Sequence, residues 1–141
     1  MSPADCRPCD ARWPDPAYRI TDLGLTVAYL HDDQFFPGWT VLVLKRHATE
    51  LYELTRDERA GLIEEVSRVA HALVGLYGAR KVNYSLLGNQ IPHIHWHVTP
   101  RLAGDPSPGE PVWSVRHEPR RLAPAELGAR LGELRRALAG G

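Results

Sequence analysis

The chain has no excess of charge of either sign: 17 lysines and arginines balance 17 aspartates and glutamates over 141 residues. That balance removes the electrostatic basis for binding a nucleic-acid polymer or an anionic membrane. No apolar run reaches the length of a membrane span, and the opening Met1-Ser2-Pro3-Ala4-Asp5 lacks a signal-peptide pattern. The expectation is a cytoplasmic protein that does not bind membranes. Cysteine is scarce. Its two copies, Cys6 and Cys9, are expected to stay reduced in that compartment rather than form a disulfide. No internal repeat and no second domain is visible, so the chain reads as one domain, long enough for a sizeable core.

What the chain does have is a row of histidines. In Pro92-His93-Ile94-His95-Trp96-His97-Val98 they alternate with apolar residues at the period of a β-strand. Successive strand side chains point to opposite faces, so His93, His95 and His97 are expected on one face, with neighbouring imidazoles about 7 Å apart. The strand then buries one apolar side and presents groups that titrate near neutral pH. A solvated edge strand is the bland explanation, but a core strand has no structural need for such a row. Two chemistries remain open. The row can ligate a metal such as zinc, or it can place one imidazole as a nucleophile beside neighbours that steer phosphate oxygens.

The flanking sequence places this strand in an α+β layer. An irregular segment rich in Pro and Asp runs from Ser2 to about Ala17, and two short strands are expected between Tyr18 and Leu30, joined near Asp22-Leu23-Gly24. Thr40 to Lys45 is β-branched and apolar enough for a buried strand. Thr55 and Glu58 have capping-box spacing, and Leu62, Val66, Val69, Leu73 and Tyr77 recur at helical spacing, so a helix is predicted from Arg56 to Tyr77, ended by Gly78. Asn83 to Leu87 reads as a strand, Gly88-Asn89-Gln90 as a turn, and His93 to Thr99 as the histidine strand. A Pro/Gly-rich surface loop reaches Pro111, and Pro124 to Leu138 carries leucines on one helical face. About five antiparallel strands with one long helix and a C-terminal helix are therefore expected, with 1–17 as an N-terminal Cys-x-x-Cys segment, 18–101 as the core and 102–141 as loop and helical tail.

These residues carry a family resemblance. His93-Ile94-His95-Trp96-His97-Val98-Thr99 resembles the signature of the histidine triad superfamily of nucleotide hydrolases and transferases. Pro37 to His47 is similar to the family's strand ending in a basic pair and a histidine, and Asn83 with Gly88-Asn89-Gln90 resembles its approach to the triad. The likeness spans about Cys6 to Arg101 and is nearest in detail to bacterial members often labelled diadenosine polyphosphate hydrolases.

The resemblance implies a homodimer acting on a nucleotide. In it His95 attacks the α-phosphorus of a nucleotide ester, anhydride or phosphoramidate, giving a nucleotidyl-histidine that water hydrolyses. His93 supplies a backbone carbonyl that fixes the His95 ring, and His97 bonds the phosphoryl oxygens. Asn83, Asn89 and Gln90 hold the remaining oxygens, and Asp32 or Asp33 accepts from the ribose hydroxyls. Trp39 stands where some eukaryotic relatives have histidine, so no fourth catalytic imidazole carries over. Trp113 either reaches a partner subunit's active site or anchors the tail onto the core. His31, His71 and His117 have no assigned role.

Cys6-Arg7-Pro8-Cys9 has zinc-knuckle spacing. Several bacterial triad proteins similarly hold zinc with such a pair, the histidine after the basic pair and the first triad histidine, which here are Cys6, Cys9, His47 and His93. A Cys2His2 site has no open coordination position, so zinc there would be structural. The alternative is two free thiols near the terminus. Two other readings stay open for the whole chain: a nucleotide-binding signalling protein with little turnover, and one ion held jointly by His93, His95 and His97.

Overall fold

A computed structural model describes residues 5–139; Ser2 to Ala4 of the expected N-terminal segment lie outside the described residues. The strands are β1 (Arg19–Asp22), β2 (Thr26–Leu30), β3 (Thr40–Leu44), β4 (Lys81–Ser85) and β5 (His95–Arg101). They form one antiparallel sheet in the order β1-β2-β3-β5-β4. Helices α1 (Arg56–Tyr77) and α2 (Pro124–Ala139) share one core with the sheet, so the fold is α+β as expected. No helix among the described residues is long and apolar enough to cross a membrane.

Local chemistry sets the α1 boundaries. Thr55 Oγ1 accepts from the Glu58 amide at 3.1 Å while the Glu58 carboxylate accepts from the Thr55 amide at 2.8 Å, satisfying two amides at the open helix end. Gly78 ends the helix in the left-handed region, at φ 64°, where a side chain is strained. Val66, Val69 and Leu73 turn inward and meet Ala28, Leu42 and Val98 of the sheet and Leu131 and Leu134 of α2, while Leu62 is buried in a second cluster with Leu44, Leu54 and Ile94. All five residues of β3 are buried, consistent with a central strand covered on both faces.

Two strand frames differ from expectation. β4 runs over Lys81–Ser85 rather than Asn83 to Leu87, and β5 begins at His95 rather than His93. The cause at β5 is a tight turn in which the His93 amide bonds back to the Ile91 carbonyl at 2.8 Å. The Ile94 amide then bonds to Ala48 O, and its carbonyl accepts from Leu44 N at 3.0 Å, outside the regular ladder. His93 therefore precedes the strand instead of sharing its face with His95 and His97.

One acidic side chain joins α1 to the first hairpin. Glu65, buried, accepts from Leu25 N (2.8 Å), Thr26 N (2.9 Å) and Thr26 Oγ1 (2.7 Å). Replacing it with alanine strands those donors away from water. The Glu65→Ala variant is expected to lose about 2–4 kcal/mol of unfolding free energy. Urea unfolding checks this; a midpoint equal to that of the parent would show that water replaces the carboxylate without cost.

Candidate active site

His93 anchors the site from just outside the sheet. Its Nε2–H donates to the Leu44 carbonyl at 2.7 Å, which leaves the lone pair on Nδ1. Its own carbonyl accepts from His95 Nδ1–H, also at 2.7 Å. With Nδ1 carrying the proton, His95 presents an unprotonated Nε2. Burial lowers its pKa, opposed by the hydrogen bond to His93, so the ring is neutral near pH 7.

His97 takes the opposite tautomer. The Trp39 indole N–H, which can only donate, lies 3.0 Å from His97 Nδ1, so that nitrogen accepts and Nε2 keeps its hydrogen. Burial, with repulsion from His95 and His31, pushes the His97 pKa down to about 3. The two rings stand edge to face with centroids 5.2 Å apart. One offers a lone pair and the other an N–H donor, and both line a cavity of about 380 Å³.

Asn89 and Gln90, from the turn after β4, line the same cavity, as does Trp113. Trp113 packs edge-on against His97 of its own chain (4.8 Å between centroids) and donates to Ser85 Oγ at 3.1 Å. Asn83 is elsewhere. It lines a neighbouring cavity, and its Oδ1 accepts from the buried Arg101 guanidinium at 2.7 Å. That guanidinium also bonds the Asp105 carboxylate and the Ser107 and Glu110 carbonyls.

The two acidic candidates separate. Asp33 is occupied: its carboxylate accepts from the Phe35 and Arg120 amides and from His117 Nε2. Asp32 is half exposed, pairs at 3.2 Å with Arg121, and lines a smaller cavity of about 130 Å³ beside the triad.

Sequence reading passed over three residues at this site. His31 stacks on Trp39 at 4.1 Å and stands 5.7 Å from His97. Trp13 meets His95 edge-on at 5.1 Å, and Arg7 lines the main cavity. The only linear hint was His31 at the end of an apolar strand beside Asp32; the other two arrive through folding of the N-terminal segment.

Behind the triad, Cys6, Cys9, His47 and His93 point one ligand atom each at a common centre, all within 4.8 Å of one another. His93 Nδ1 lies 3.3 Å from Cys6 Sγ, 3.5 Å from Cys9 Sγ and 3.2 Å from His47 Nδ1; His47 Nδ1 lies 3.5 Å from each sulfur. Tetrahedral zinc, with bonds of about 2.3 Å to sulfur and about 2.0 Å to nitrogen, separates S from N by about 3.5 Å and N from N by about 3.3 Å. The donor set and its spacing fit. One ion held by all three triad histidines does not fit, because both ring nitrogens of His93 are turned away from the cavity, to Leu44 and to the cysteines.

The family model described as the HIT domain matches residues 15–104, more than half of the chain. The chain belongs to the HIT domain family. A solved histidine triad protein from Bradyrhizobium japonicum is 34% identical to this HIT protein, with a TM-score of 0.78 over 85% of this chain and 89% of that one. A Zn-bound histidine triad family protein from Mycobacterium smegmatis is 30% identical, with a TM-score of 0.68 over 96% and 94% of the two chains. Among curated relatives, an asymmetrical bis(5'-nucleosyl)-tetraphosphatase of Schizosaccharomyces pombe is 26% identical over 95 residues, 64% of this chain. The match spans about half, 52%, of that protein's length.

The buried His97 makes stability depend on pH. Its folded pKa of about 3 lies below the unfolded value of 6.5, so between the two the unfolded chain binds a proton that the native state refuses. This contribution is fully present above pH 6.5 and is lost as pH falls toward about 3. Urea midpoints should fall between pH 6.5 and 4.5, and fall less in His97→Gln. A parent profile flat over that range would mean that His97 titrates normally in the fold.

Proposed function

We propose that this HIT protein hydrolyses a nucleotide at its α-phosphorus through a covalent intermediate on His95. The observation that carries the reading is the pair of opposite tautomers over one cavity, His95 with a free Nε2 lone pair and His97 with an Nε2–H donor. In the first step a bond forms between His95 Nε2 and phosphorus, and the bond to the leaving group breaks with its electron pair. The imidazole becomes cationic, and the His93 carbonyl at Nδ1–H stabilises that charge. His97 Nε2–H, Asn89 and Gln90 serve the non-bridging oxygens, where negative charge grows. Water then attacks the same phosphorus, releasing the nucleoside monophosphate and neutral His95.

Asp32, rather than the occupied Asp33, is assigned to the ribose hydroxyls. Asn83 keeps a supporting role through Arg101, outside the cavity. Leaving groups compatible with this chemistry include polyphosphates, amines and acyl groups. Zinc at Cys6, Cys9, His47 and His93 would be structural, holding His93 and through it the His95 tautomer. A reducing cytoplasm suits a cluster that needs both thiols free. A homodimer completes the reading: β4 is a sheet edge with Tyr84 half exposed, a place where a second copy's strand can add.

His95→Asn is expected to lower turnover of diadenosine tetraphosphate and adenosine phosphoramidate by about 10⁴-fold or more while nucleotide binding persists. Intact mass after rapid quenching should show an adenylylated parent protein and an unmodified variant. Undiminished turnover in the variant sinks the mechanism, and nucleotide binding with no turnover by the parent favours the signalling role. Elemental analysis should find about one zinc per chain; a stable protein purified without metal would refute that site.

A further inference from the structure

The C-terminal tail lies along the loop between β2 and β3, and one of its contacts depends on a proton. Trp113 packs on His97 and meets Trp39 edge-on at 5.5 Å. Farther along, Arg120 O accepts from Gln34 N at 2.7 Å, and Arg121 pairs with Asp32. Between them His117 docks on the loop, stacked on Phe35 at 4.1 Å and edge-on to Phe36 at 5.6 Å.

Both nitrogens of His117 face acceptors. Nδ1 lies 2.8 Å from the Val115 carbonyl, and Nε2 lies 2.8 Å from Asp33 Oδ2. Burial opposes ionisation of Asp33, but the Arg120 amide, His117 and the Phe35 amide outweigh it and hold its pKa low. Neither oxygen therefore carries a hydrogen. A neutral imidazole has one N–H and would set its lone pair against one of them. Only the imidazolium satisfies both. Burial opposes that charge too, yet Asp33 and the Val115 carbonyl outweigh it and raise the His117 pKa above its ordinary 6.5. Glu118, next in the chain, adds to the attraction. Arg101 lies on the Phe36 ring, 5.0 Å from its centroid.

Asp33 carries the contact inward. Its amide donates to His31 Nδ1 at 3.0 Å, and its carboxylate accepts from the Arg120 amide at 3.0 Å. Beside it, Gln34 Nε2 donates to the carbonyls of His31 (2.8 Å) and Trp39 (3.0 Å). His31 and Asp32 line the smaller cavity, and His31 and Trp113 line the larger. The loop that His117 grips thus supplies walls to both.

We infer that protonated His117 is a positioning residue, latching the tail onto the 31–39 loop and making assembly of the nucleotide site depend on pH. The latch belongs to the fold, while its effect on a nucleotide rests on the function proposed above. A group whose folded pKa lies above its unfolded value contributes fully below the unfolded one. The latch is therefore closed below pH 6.5 and loses one charge-assisted bond as pH rises through the higher value. The Trp113 and Arg121 contacts carry no such proton, so the site loosens rather than opens.

Proton NMR of the full chain tests the latch directly. The His117 ring signal, assigned by its loss in His117→Gln, should titrate with a midpoint above 6.5. Asp33→Asn should lower that midpoint. Hydrogen-exchange protection of the Gln34 and Arg120 amides should fall about tenfold across the titration, as for loss of one charge-assisted bond. In His117→Gln both amides should be weakly protected at every pH. A midpoint at or below 6.5, or protection unchanged across it, overturns the latch. Calorimetric affinity for AMP should fall across the same midpoint in the parent until it matches His117→Gln, which lacks the step. That comparison cancels the ionisation of AMP itself, and steps of equal size in both proteins overturn the positioning role. If the parent does not bind AMP the nucleotide reading fails, while the exchange measurement still decides the latch.

Discussion

The hydrogen bond from His93 Nε2 to the Leu44 carbonyl joins residues 49 apart in sequence and governs the surrounding site. It commits the ring proton, so the other nitrogen has only its lone pair to offer, and that nitrogen faces two sulfurs and a second imidazole. Through its carbonyl the same residue sets which nitrogen of His95 carries hydrogen. A rotation of this one imidazole would disturb the cysteine cluster and His95 together. It is nearly without solvent exposure, at 2%, which removes water as a competing partner for either nitrogen.

Burial has a second effect in the histidine row. Taking an imidazole out of water penalises its cationic form, so all three triad rings are neutral where an unburied histidine would be partly charged. Neutrality lets one ring supply a lone pair and the next a hydrogen without mutual repulsion. Trp39 decides which ring does which on the His97 side. A tryptophan is an unambiguous donor, whereas a histidine at that position could act either way.

Much of this was legible in the chain. The boundaries of α1 followed from Thr55, Glu58 and Gly78, because capping chemistry is local and nothing distant overrides it here. The five strands, their antiparallel class and the meeting of Cys6, Cys9, His47 and His93 also agreed with expectation. Strand frames slipped because alternation persists through a turn: His93 keeps the two-residue period yet turns out of the row, and the bond from its amide to Ile91 leaves no trace in composition. Asn83 sits on a strand near the triad, but the competing attraction of Arg101 is a tertiary fact. His31 looked incidental for the same reason, since its stacking partner Trp39 lies across a loop.

Arg101 carries a consequence for the Pro/Gly-rich stretch that follows it. All five N–H positions of its guanidinium are committed, to Asp105, Ser107, Glu110 and Asn83. A span whose composition suggests slack is thereby a braced strut, and the strut ends where Trp113 lies over His97. For protein engineering this inverts the usual advice: a tag or a grafted peptide inserted between Leu102 and Pro111 would lever the indole off His97. The exposed turn at Gly78, remote from the cavity, is the safer place to cut or extend the chain.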